Sequence, residues 1–244
     1  MPIQDEIDAN YLKFFDGWSA GADANFAASK GRKALLESHR RLAAFRALRV
    51  NLVEKRLSKG AQAFFLEANN DLVTAHVTAH LCAWRASLKF LRSAIENVLY
   101  CFYYDVHPIE HRQWESGHFK VGFSASHRFF ETHPDVAGLP KAVTGLEQLE
   151  NEYATLSKAV HASSRLFRMT EGELNILLWK DDIAKLGSWS ARERATVQAL
   201  ALLTVCLLAD DLKGAKNGPT RDVLQFALTK HVRQQLKTTL SITI

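Results

Sequence analysis

Residues 153–164, YATLSKAVHASS, bring Tyr153, Ser157, Lys158 and His161 within nine positions of one another. A histidine can take or give a proton near neutral pH, and a nearby cation can hold a charged substrate. Tyr153 and His161 can equally be hydrogen-bonded packing residues, so the stretch admits either role. A second group lies upstream. Arg85, Lys89, Arg92 and Glu96 are spaced 4, 3 and 4, which places them on one face of a helix. Arg92 and Glu96 can pair at i,i+4 there, and an otherwise solvated helix face is the plainer meaning of such a line.

Metal chemistry is less well served. Five of the ten histidines fall between His107 and His133, yet no cysteine or carboxylate partner stands at ligand spacing. In HVTAH, His76 and His80 could chelate one ion from a single helix turn. The motif lacks the glutamate of a metalloprotease HExxH and an evident third ligand, so helix packing is its expected role. No P-loop, GxGxxG or GxSxG occurs. Neither a metal nor a cofactor is expected.

The elements that must position these groups read as helices. Glycine (12) and proline (5) are scarce in 244 residues, which favours a mostly helical chain. Leu81, Trp84, Leu88, Leu91, Ile95, Val98 and Phe102 form the clearest apolar stripe, in a helical pattern from 62 to about 104 with a candidate break at EANNDL. Residues 1–30 read as loosely organised and 31–58 as a helix. Pro108 opens a short helix with His107 near its N-cap, and the region to about 140 reads as irregular. A helix is expected over about 142–160, followed by a connector with a short helix. Ser190 to Glu193 reads as a capping box opening an apolar helix that ends near Lys213-Gly214, with a last helix over about 220–239. This gives a basic N-terminal segment (1–60), a helical bundle (61–214) and a C-terminal helical appendage (215–244).

Charge is unevenly distributed. Residues 30–60 carry ten Lys and Arg against Glu37 and Glu54, a net +8, leaving the rest of the chain at −3. That is the form of an electrostatic footprint for nucleic acid, with Arg40, Arg41, Arg46, Arg49, Lys55 and Arg56 as its candidate contacts; a solvated face or an acidic partner is the other meaning. The longest apolar-rich stretch, 195–209, is shorter than the roughly 20 residues a bilayer requires, so no membrane association is expected. An acidic start and three dispersed cysteines (Cys82, Cys101, Cys206) suit reduced core thiols in a cytoplasm.

The segments LKFLRSAIENVLYCFYY (88–104) and YATLSKAVHASS place an apolar helix bearing Arg-x3-Glu before one ending Tyr-x2-Leu-Ser-x3-His. This pattern resembles the HEPN superfamily, helical bundles of toxin–antitoxin and anti-phage systems. It covers roughly 71–165, extending at most to 213, and is a likeness of pattern. The resemblance implies an all-α antiparallel bundle that engages RNA, as a homodimer or within a larger defence-system complex. Many members are metal-independent endoribonucleases whose signature is Arg, four to six residues, then His. Here those three arginine positions hold Leu156, Thr155 and Ala154, while literal matches at Arg32/His39, Arg112/His118 and Arg128/His133 are about as many as chance supplies. The resemblance therefore implies His161 as acid/base, Arg92 and Lys158 as phosphate-stabilising cations, and Glu96 as the group orienting Arg92 or His161. The alternative is a non-catalytic adaptor that docks on a nucleic-acid enzyme, or on nucleic acid, through the basic 30–59 segment.

Overall fold

The computed structural model describes residues 3–161, 167, 169–171, 175–176, 180–214 and 216–244. The chain is an all-α antiparallel helical bundle; among the described residues the only strands are a two-residue ladder pairing Thr170 with Ile176 and Glu171 with Asn175. The helices are α1 (Ile3–Ser29), α2 (Lys33–Leu48), a π turn (Arg49–Val53) running into α3 (Glu54–Arg56), α4 (Lys59–His80), α5 (Trp84–Val106), α6 (Pro108–Glu115), α7 (Phe123–Glu131), α8 (Lys141–Thr144), α9 (Leu146–Val160), α10 (Ile183–Leu207), α11 (Gly218–Leu224) and α12 (Lys230–Leu240).

Five helices form the body. Ser38 meets His76 and Phe45 stacks on Phe65, so α2 and α4 run antiparallel. A three-residue link, 81–83, folds α4 back on α5. Arg85 reaches the carbonyls of Ala159 and Val160 while Arg92 reaches Ser157 and Tyr153, which sets α5 antiparallel to α9. Arg192–Glu152 and Gln198–Gln148 do the same for α9 and α10. Helix α10 then returns to α2 through Glu193 with Ser38 and Arg41, closing the ring. With five members one neighbouring pair must be parallel, and it is α2 with α10.

Helix α10 is buried without a break from Ala199 to Cys206. Its lack of a polar face, which marks a helix enclosed on all sides, accounts for the apolar run in the sequence. Gly145 lets α9 begin against it. The glycine adopts φ +73°, and a Cβ there would stand 2.6 Å from the Ala199 carbonyl oxygen. A substitution would face both left-handed strain and a backbone clash.

Several boundaries differ from the sequence reading. Residues 3–29 are helical, although only Asn25 and Ser29 of α1 are buried. EANNDL does not break α4, because Ala68 and Leu72 continue the stripe of Phe64, Phe65, Ala75 and Ala79. The break falls at Cys82, a non-glycine residue at φ 55°. The region read as irregular contains α7, and Gly145 divides the helix expected at 142–160. Helix α10 starts at Ile183, capped by Asp182 Oδ1 accepting the Lys185 N–H at 3.0 Å. Ser190 is thus mid-helix and caps nothing. The last helix is two, α11 and α12, separated at 225–229, and Leu224, Leu236 and Ile242 are fully buried. No described helix is long and apolar enough to cross a membrane.

Candidate functional site

The stripe on α5 meets α9 along its length, and the contact centres on Arg92. Its Nε donates to Ser157 Oγ at 3.1 Å and its Nη2 to the Tyr153 hydroxyl at 2.6 Å. Nη2 also lies 3.1 Å from Glu96 Oε1, and the Tyr153 hydroxyl donates to that same oxygen at 3.0 Å. The guanidinium carbon sits 4.7 Å from the Tyr153 ring centroid, a cation–π contact. Tyr153 is backed in turn by Phe123 of α7, stacked at 3.7 Å and 3°. Ser157 is fixed by donating to the Tyr153 carbonyl at 2.7 Å.

These bonds follow from helix periodicity. Residues 153 and 157 share a face of α9, and 92 and 96 share one of α5. Burial first, and then the negative charge of Glu96, push the Tyr153 hydroxyl above its ordinary range, so it stays protonated and keeps its donor. Arg92 therefore has Nε and Nη2 committed. Its Nη1 bonds to nothing among the described residues, and the side chain is 22% exposed. The arrangement holds a partly exposed guanidinium in one orientation.

His161 is the residue after α9 ends. Its N–H donates to the Ser157 carbonyl at 3.1 Å, and it is exposed. It lies one turn past Ser157, about 6 Å along the axis, and no hydrogen bond or ion pair among the described residues links its side chain to Arg92 or Glu96. Lys158 occupies the same turn, next to Ser157. Arg85 is tied to the last carbonyls of α9, where a cation offsets the negative helix end. In the sequence Tyr153 reads as a hydrogen-bonded packing residue and Ser157 carries no role; the spacing of 61 and 65 residues from Arg92 carries no local signal of these bonds.

The basic segment divides. Arg41 points inward: its Nε donates to Glu193 Oε2 at 2.7 Å, and the two side chains are 5% and 2% exposed. It is a core ion pair and is corrected from the surface contact its charge suggested. Arg49 pairs with Glu54, Arg56 with Asp211 at 3.3 Å, Arg40 with Glu37 at 2.6 Å, and Arg32 with Asp181. Half of the ten cations thus face a carboxylate, while Arg46 and Lys55 are exposed without one among the described residues. The stripe is partly internal bracing.

The histidines of 107–133 pack rather than converge. His107 stacks on Tyr103 at 4.0 Å, His111 on Trp114 at 6.0 Å, and buried His127 meets the Leu146 carbonyl at 3.1 Å. No group of three His, Cys, Asp or Glu among the described residues is arranged to hold a metal ion. Burial raises the three thiols, Cys206 to about 12, and keeps them protonated.

No protein-family model matches the chain, and neither does any curated protein or solved structure. Its function is therefore argued from its own geometry.

Proposed function

We propose that the protein is a HEPN-like defence or toxin-type protein that engages RNA at the seam of α5 and α9 and cleaves it as a metal-independent endoribonuclease. Arg92 carries the reading. Three partners hold its guanidinium in one orientation while its side chain stays 22% exposed, and Lys158 and His161 stand at and just past the last turn of α9. A preorganised guanidinium is suited to a phosphate whose negative charge grows in a transition state. His161 takes the proton of the ribose 2′-hydroxyl as its oxygen bonds to phosphorus. The bond to the 5′-oxygen breaks, and that oxygen is protonated by water. Lys158 adds positive charge, and Glu96 with Tyr153 orients Arg92.

The test is cleavage of labelled RNA in EDTA by the wild type, His161→Ala and Arg92→Ala, with melting temperatures alongside. Loss of at least a hundredfold in both variants, with the His161→Ala melt unchanged, is expected. A wild type without cleavage, or a His161→Ala protein of full activity, overturns the catalytic reading.

A second reading, a non-catalytic adaptor in a homodimer or larger complex, is favoured by α1. Ile3, Ile7, Tyr11, Phe14 and Trp18 are all exposed, with Ile3 at 71% and Phe14 at 64%. Deleting residues 3–20 should then abolish self-association or partner capture without altering the fold of the body.

A further inference from the structure

We propose that His76 and His80 form a binding site for a late first-row transition metal ion such as zinc, nickel or copper(II), independent of the α5–α9 seam. The two Nε2 atoms face each other at 3.2 Å across one turn of α4. That separation is close to what two imidazoles at ~2.0–2.1 Å from one tetrahedral ion require.

Each ring is held from behind. His76 Nδ1 lies 3.0 Å from Ser38 Oγ on α2, and His80 Nδ1 lies 2.6 Å from Ser29 Oγ at the end of α1. Partners on Nδ1 that fix ring orientation are what metal-ligating histidines ordinarily have.

Proton counting sharpens the point. Ser38 has one hydroxyl hydrogen, donated to Glu193 Oε1 at 3.2 Å. Burial raises the Glu193 carboxyl, and the Arg41 guanidinium bonded to it opposes that rise. With that hydroxyl bond made, His76 donates from Nδ1 to Ser38 and its Nε2 carries the lone pair. Ser29 likewise donates to the Phe26 carbonyl at 3.2 Å. With that bond made, His80 donates from Nδ1 to Ser29 and its Nε2 is bare as well. In that tautomer the two Nε2 lone pairs, 3.2 Å apart, converge on one point where a cation can sit.

Two imidazoles leave the remaining coordination positions to water. Imidazole donors select late transition metals over magnesium or calcium.

The test is titration of metal-stripped protein with zinc, followed by calorimetry and by thermal unfolding. One ion per chain is expected, with a rise in melting temperature that magnesium does not produce. The His76→Gln/His80→Gln double variant should lose at least tenfold in affinity. Ser38→Ala, which keeps both rings, should lose about tenfold. Imidazole nitrogen NMR of the wild type supplies a readout that needs no variant to fold: zinc should shift the Nε2 signals of these two rings. Absence of zinc binding by the folded wild type, unchanged Nε2 signals, or full affinity in the double variant overturns the proposal.

Discussion

Two of the Arg–Glu pairs in this bundle are built from the same parts. Arg41–Glu193 joins α2 to α10 with Ser38 as the accompanying hydroxyl, while Arg92–Glu96 lies on α5 with Tyr153 and Ser157 as its hydroxyls. The first is sealed, at 5% and 2% exposure; the second is open, at 22% and 20%. Burial alone separates their roles. A sealed pair cannot meet a ligand, and removing one partner strands an uncompensated charge. An open, braced pair loses little stability when cut and keeps a donor edge for something outside. Charge and spacing in the sequence do not distinguish them; the neighbours that cover or leave them do.

Cutting the sealed pair gives the largest effect. Arg41→Ala should destabilise the fold by about 3–5 kcal/mol, read from denaturant midpoints. A loss no greater than for the open pair would erase the distinction. Arg92→Ala comes next, at about 1–2 kcal/mol, with loss of the RNA cleavage proposed above; a cost equal to that of Arg41→Ala would make Arg92 a brace as well. A smaller and pH-dependent effect belongs to His76, next to the sealed pair. Its folded pKa is depressed from 6.5 to about 4, so the unfolded chain binds its proton first. Stability should fall as pH drops from about 6.5 toward 4, and the pH slope of the melting temperature should be shallower in His76→Gln than in the wild type. The smallest effect is expected for Arg46→Glu on the exposed side of α2, within about 0.5 kcal/mol, with any change confined to salt-dependent RNA affinity.

Much of the fold was legible where burial follows a period. The stripe from Trp84 to Phe102 was plain because one face of α5 meets α4, α9 and α10 over its whole length. The start of α10 was not, because Glu193, three residues after Ser190, resembles a capping partner and is instead claimed by Arg41 from 152 residues away. Helix α1 was missed for a different reason. With just Asn25 and Ser29 buried, it has no core face to impose periodicity. At the site, Arg92 and Glu96 were visible as an i,i+4 pair. Their coupling to Tyr153 and Ser157 depends on how α5 and α9 are set together, which neither segment encodes alone.

The bareness of α1 has an energetic consequence. A 27-residue helix is about 40 Å long, and with Gly17 and Gly21 inside it and residues 3–20 exposed, its order rests largely on local propensity, which is marginal in water. Backbone amides of residues 3–20 should exchange far faster than those of α5. Any surface that covers Ile7, Phe14 and Trp18 would then bury apolar area and complete a helix in one step. Affinity for that surface would be tempered by the ordering, and assembly would carry the large negative heat-capacity change of folding coupled to binding.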